Sequence, residues 1–214
     1  MMTFRDRGLP ESAGEKISLP SALVIWDMQE GIAPRADRYA YVRDHVSSLR
    51  QAAQACGVPV IFSQHFSLPL RYEATGYVTS FWRQSGRPDP ETMRELIPFG
   101  SAKMQFVGGL EPSDQDVVLP KIRASFFYGT PLLAVLQACH VETLVLTGVA
   151  TDRGILTTAR DAALNGVFPL VVSDACGAFS AEDHARGLAA AASVGDVVSS
   201  DELLAAWKGR ASVK

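Results

Sequence analysis

The segment Thr147-Gly148-Val149-Ala150-Thr151-Asp152-Arg153-Gly154 leaves an apolar run and leads straight into a helical pattern. A strand-to-helix turn of this kind aims side chains and free backbone N–H groups at a ligand. Gly154 stands where a nucleophile would be expected, and glycine has no side chain to offer. Taken alone, it is an ordinary glycine at a helix start. Two further segments close apolar runs. In Val24-Ile25-Trp26-Asp27-Met28-Gln29, Asp27 puts a poorly solvated carboxylate at a strand end, although a lone Asp there also serves as a helix cap or turn residue. In Val118-Leu119-Pro120-Lys121, the Lys121 ammonium follows a second run and should reach the crevice that Asp27 faces, where each charge supports the other. The plain alternative is a lysine that snorkels to the surface. Thr130-Pro131 reads as a helix cap with proline in the first turn.

These residues need a frame, and the apolar runs supply one. Ala22 to Trp26, Pro59 to Ser63, Asp116 to Leu119, Thr143 to Thr147 and Pro169 to Val172 are continuous rather than alternating, as strands buried on both faces should be. Asp196 to Ser199 is a shorter sixth candidate. Helical patterns lie between them at Val42 to Ala55, Pro131 to Ala138, Leu156 to Leu164, Ala181 to Ala192 and Asp201 to Trp207. Gly57, Gly166 and Gly195 follow three of these as stop signals. The alternation predicts an α/β fold: a three-layer αβα sandwich around a mostly parallel, doubly wound sheet of about six strands. Residues 1–20 read as an N-terminal extension and 21–214 as one domain. Residues 67–112, a weakly periodic stretch carrying Trp82 and several arginines, read as a long insertion that forms a lid or a subunit contact.

Ligands in such sheets bind beyond the C-terminal strand ends. Asp27, Lys121 and Gly154 are therefore the candidate catalytic positions. Gln64, His65, Val149, Ala150, Thr151 and Arg153, with Trp82 of the insertion, are the candidate substrate contacts. Asp174 closes another strand.

Composition narrows the partners. Apolar residues make up 47% and charged residues 20% of the 214, as in a globular protein with its own core. A formal charge of −3 provides no basic field, so nucleic acid is not an expected partner. No apolar run is long enough to cross a bilayer, and Met1 to Pro20 lacks the apolar stretch of a signal peptide. Three widely spaced cysteines, Cys56, Cys139 and Cys176, fit a reduced, cytoplasmic protein. The four histidines show no metal-ligand spacing, so no metal and no other cofactor is expected.

Taken together, the chain resembles the isochorismatase-like hydrolase superfamily, which includes nicotinamidases, N-carbamoylsarcosine amidohydrolases and isochorismatases. The resemblance runs from about Ala22 to Val198. It rests on Asp27-Met28-Gln29, on Lys121 with Arg123 and Ser125-Phe126-Phe127-Tyr128-Gly129-Thr130, on Gly148 to Asp152 with Thr158-Ala159-Arg160-Asp161-Ala162, and on Asp174-Ala175-Cys176. It implies that Asp27 and Lys121 are two members of an Asp-Lys-Cys triad, with Gly154 in the cysteine's place. It also implies a cis peptide between Val149 and Ala150, a small-molecule substrate and a homodimer or homotetramer. The nicotinamidase branch carries an Asp-x-His-x-His metal site, whereas the corresponding strand here ends Phe62-Ser63-Gln64-His65.

True isochorismatases resemble the chain at Gly154, while Ala150-Thr151-Asp152 resembles the amidohydrolases. Three readings follow. The first is hydrolysis of a small carboxylate without a covalent nucleophile, as in vinyl-ether cleavage that releases pyruvate. Here Asp27 is the general acid, and Arg71, Arg83 or Arg87 holds a carboxylate. The second is a C–N amidohydrolase whose cysteine is replaced at Gly154, naturally or by mutation. The third is an inactive binding homologue.

Overall fold

Each apolar run forms a strand, and together they build one six-stranded sheet in which every pairing is parallel. The computed structural model describes residues 10–89, 91 and 93–211. The strands are β1 (Ser21–Trp26), β2 (Val60–His65), β3 (Val117–Lys121), β4 (Thr143–Val149), β5 (Phe168–Gly177) and β6 (Asp196–Val198). Their order is β3-β2-β1-β4-β5-β6. The chain winds outward from β1 to one edge, then returns through β4 to the other, so β1 and β4 lie side by side at the switch point where ligands bind in such sheets.

Helices α1 (Ala13–Ser18), α2 (Tyr39–Ala55), α3 (Thr75–Ser85), α4 (Leu132–Ala138), α5 (Leu156–Leu164), α6 (Ala181–Ala191) and α7 (Ser200–Ala211) complete the chain. Two apolar clusters cover the sheet. Leu23 and Ile25 of β1 face Val46 and Leu49 of α2 and Trp207 of α7. Ala22, Val24 and Trp26 face Leu132 and Leu136 of α4 and Ala159 of α5. The alternate residues of one strand thus feed opposite layers, which is why its sequence is apolar throughout.

Two elements differ from the sequence expectation. Residues 13–18, expected within an extension, form α1, which is held by a capping box of Ser12 and Glu15. Ile17 is buried, and Lys16 pairs with Asp196 at 2.5 Å. The remainder of that expected extension, residues 1–9, lies outside the described residues. The stretch 67–112, expected as one insertion, divides in two. Helix α3 buries none of its residues, whereas Ile97, Met104, Val107 and Leu110 enter the sheet's core. Among the described residues, no helix is long and apolar enough to cross a membrane.

Candidate active site

The C-terminal ends of β1, β2, β3 and β4 converge on one cleft of about 1060 Å³, part of it open to solvent. Asp27 leaves β1 in a left-handed conformation (φ 44°), which aspartate tolerates better than most residues. Its backbone N–H donates to Ser63 Oγ (3.0 Å), and Ser63 Oγ donates in turn to Asp27 Oδ1 (2.5 Å). Lys121 Nζ donates to Asp27 Oδ2 at 2.7 Å. Both carboxylate oxygens are thereby acceptors. Lys121 is fully buried. Burial pushes its pKa below the usual lysine range, while Asp27 pulls it back up.

The turn after β4 faces this pair. Val149–Ala150 is a cis peptide, as the resemblance implied. Thr151–Ile155 makes a single π-helical turn before α5. The Ala150 carbonyl accepts from the N–H groups of Arg153 and Ile155. The Gly154 carbonyl accepts from Thr158 Oγ1 (2.7 Å), which itself accepts from the Phe126 N–H (3.2 Å). The loop following Lys121 is thereby tied to the Gly154 turn, and Ser125 donates to Asp161 beside it. From the outer side α6 closes on the turn at Gly187, where a Cβ would meet the Asp152 backbone N at 2.7 Å.

Gly154 is not an empty place. A Cβ built there would fall 2.4 Å from the Trp26 ring, at Cε2, Cζ2 and Nε1. The Trp26 indole, packed edge-to-face on Phe126 at 5.4 Å, fills the volume into which a residue-154 side chain would grow. Lys121 Nζ lies 4.2 Å from the indole centroid, so the ring also supports the ammonium. Cys176 offers no substitute thiol: it is buried against the Leu146 carbonyl, and burial pushes its pKa up.

Of the expected substrate contacts, His65, Val149, Ala150 and Arg153 line the cleft; Gln64, Trp82 and Thr151 do not. Gln64 donates to the Met104 carbonyl. Thr151 is fully buried and bonds His184, because the turn directs it beneath α6. On α3 it is Tyr77, Val78, Ser80, Phe81 and Gln84 that line the cleft, which leaves Trp82 on another side of the helix. Asp174 instead bonds Ser200 at the start of α7 (2.6 Å). The insertion arginines Arg71, Arg83 and Arg87 do not line the cleft; Arg94, Arg123 and Arg153 do. Trp26, Ser63 and Phe179 escaped the sequence reading. Only Trp26 left a signal, a bulky aromatic immediately before Asp27.

His65 is placed by its backbone, with its N–H donating to Gln29 Oε1 (2.7 Å) and its carbonyl accepting from Gln29 Nε2 (3.0 Å). Burial, reinforced by Lys121, pushes the imidazole down to about 4, and Nδ1 has no partner. Arg123 pairs with Glu73 (2.9 Å) and lies 4.1 Å from the Tyr77 centroid, which links the strand end to α3. Among the described residues, no three His, Cys, Asp or Glu side chains converge as a metal site would require.

Comparison with known proteins agrees with this architecture. Residues 21–202 match the isochorismatase domain. A ureidoacrylate amidohydrolase RutB of Methylobacterium radiotolerans is 38% identical over 129 residues, which span 58% of this chain and half of that protein. The Yersinia enterocolitica protein of the same name is 31% identical over 75% of this chain and 78% of its own length. Among solved structures, a cysteine hydrolase from Pseudomonas syringae superposes with a TM-score of 0.77 at 23% identity, over 91% of this chain and 94% of that one. An isochorismatase family protein from Burkholderia thailandensis gives 0.72 at 28% identity, over 89% and 100%. With its domain matched over nearly the whole described chain, and with the sheet and strand-end cleft in place, this protein belongs to the isochorismatase family of hydrolases.

Proposed function

We propose that the chain hydrolyses a small alkenoate bearing an ether oxygen on its double bond, and that it does so without a covalent intermediate. The observation that carries this reading is the indole of Trp26 in the space of a residue-154 side chain, which leaves no room for an acyl-enzyme at the turn. An enol ether needs no nucleophile on the enzyme. A proton is delivered to the alkene carbon, water adds to the resulting oxocarbenium carbon, and the hemiketal collapses to a keto acid and an alcohol. The Lys121–Asp27 pair supplies the proton. Asp27 accepts at both oxygens, so it works as the relay between the Lys121 ammonium and the substrate, and takes a proton back from the attacking water. The low pKa that burial imposes on Lys121 makes its ammonium the better donor.

A second reading is favoured by the relatives named ureidoacrylate amidohydrolase. Proton-first chemistry applied to ureidoacrylate cuts the bond between nitrogen and the alkene carbon and releases urea with malonate semialdehyde, whereas attack at the carbonyl releases carbamate. The test is a panel of isochorismate, 2-methoxyacrylate and ureidoacrylate, assayed for pyruvate, urea and ammonia, with Asp27→Asn as control. Pyruvate release that disappears in the variant supports the first reading; ammonia or urea release from ureidoacrylate supports the second, ammonia marking attack at the carbonyl and urea cleavage at the alkene carbon. Absence of any product from all three would sink both.

A further inference from the structure

We infer that Arg153 is the anchor for a substrate carboxylate, with the Phe179 ring beside it, so that the cleft selects carboxylates over their neutral analogues. This rests on the proposed reaction for its context, but not for its observations. The charged groups lining the cleft are Asp27, Glu73, Glu95, Arg94, Lys121, Arg123 and Arg153. Two pairs are closed: Asp27 with Lys121 at 2.7 Å and Glu73 with Arg123 at 2.9 Å. Glu95 accepts from the Leu70 N–H, and Arg94 Nη1 is turned onto the carbonyls of Glu91 and Met93. Arg94 is exposed, and its charge acts on the neighbouring Glu95.

Arg153 is held more loosely. It pairs with Asp152 at 3.6 Å from Nε, beyond hydrogen-bond range, and its guanidinium carbon lies 5.3 Å from the Phe179 centroid. A planar guanidinium held near an aromatic ring is well suited to bidentate carboxylate recognition. Arg153 directly precedes Gly154 and lines the cleft together with Asp27 and Lys121. A ligand carboxylate bound there projects the rest of the molecule toward the proton-transfer pair.

The test is ligand-observed NMR titration of the full chain with crotonate and its neutral isostere crotonamide. Crotonate should bind more tightly than crotonamide by about tenfold or more. Arg153→Gln should remove that preference, Arg153→Lys should retain part of it, and Arg83→Gln, on α3 outside the cleft, should leave it intact. Thermal melting of each variant confirms that it is folded. Equal binding of crotonate and crotonamide, undiminished crotonate binding by Arg153→Gln, or no crotonate binding at millimolar concentration would each overturn the assignment. Because binding is read without turnover, the two claims can fail separately. Arg153-dependent crotonate binding without product from any alkenoate leaves the anchor standing and removes the reaction. Turnover with a KM unchanged in Arg153→Gln does the reverse.

Discussion

At residue 154 the absence of a side chain and the presence of Trp26 describe one feature. Adding a thiol to Gly154 alone brings the new Cβ within 2.4 Å of the indole, so either the ring or the turn must move. Gly154→Cys should therefore lower stability by about 1–3 kcal/mol, as overpacking does, and should not create amidase activity. Combining it with Trp26→Val opens the space, and the double variant should recover part of the lost melting temperature and react with a thiol alkylating agent. Amidase activity in the single variant would show that the indole is no obstacle. At Asp27 the expectation is catalytic: Asp27→Asn should keep the fold and lower turnover by about two to four orders of magnitude. Steady-state kinetics on the first substrate found measures this, and near-normal kcat would remove Asp27 from the chemistry.

Helix α3 behaves differently from the other elements because it has no buried residue of its own. It is held over the cleft through the Arg123–Glu73 pair and the Arg123–Tyr77 stack, while residues just beyond it are fixed in the core. Few buried contacts mean a low free energy of local opening. Arg123→Gln should accelerate amide hydrogen exchange in residues 75–85 roughly tenfold and leave the exchange of β1 and β4 unchanged. Unchanged exchange in α3 would show that the latch is not what holds it. At the other end of the chain, α1 buries Ile17 against the core next to α7, and Ile17→Ala should cost about 2–4 kcal/mol in a urea titration. A negligible change would return α1 to the status of an appendage.

For the molecule as a whole, pH acts through groups that fold in the neutral state. His65 is displaced from its ordinary value of 6.5 to about 4, by burial first, then by Lys121 and Arg123, with Asp27 opposing. His184 is lowered too, again by burial and by Arg38. Between these limits the unfolded chain binds a proton at residue 65 that the folded chain refuses, so stability falls as the pH drops from about 6.5 toward 4. For His65 alone the loss reaches about 3 kcal/mol at the lower end. His65→Gln should flatten this limb of the stability–pH curve, read by urea unfolding at successive pH values. A wild-type curve already flat over that range would contradict the burial argument.

The sequence by itself determined the sheet. Runs such as Ala22–Trp26 and Leu144–Leu146 are apolar at every position because both faces are covered, and this local regularity fixes strand number, parallel pairing and the strand ends where Asp27, Lys121 and Gly154 lie. Helix α1 was written in Ser12 and Glu15, yet a single capping box preceding a short polar helix is a weak local signal. Only the tertiary structure decided which side chains enter the cleft. Trp82 and Thr151 point elsewhere, and Arg94, Arg123 and Arg153 rather than Arg71, Arg83 or Arg87 line the cleft with Asp27 and Lys121. The direction of a side chain on an insertion helix or a π-helical turn depends on what that element packs against, here α6 and the loop after β3. The pairing of Gly154 with Trp26 joins positions 128 residues apart, and no local pattern in either segment encodes that the one was left bare where the other fills.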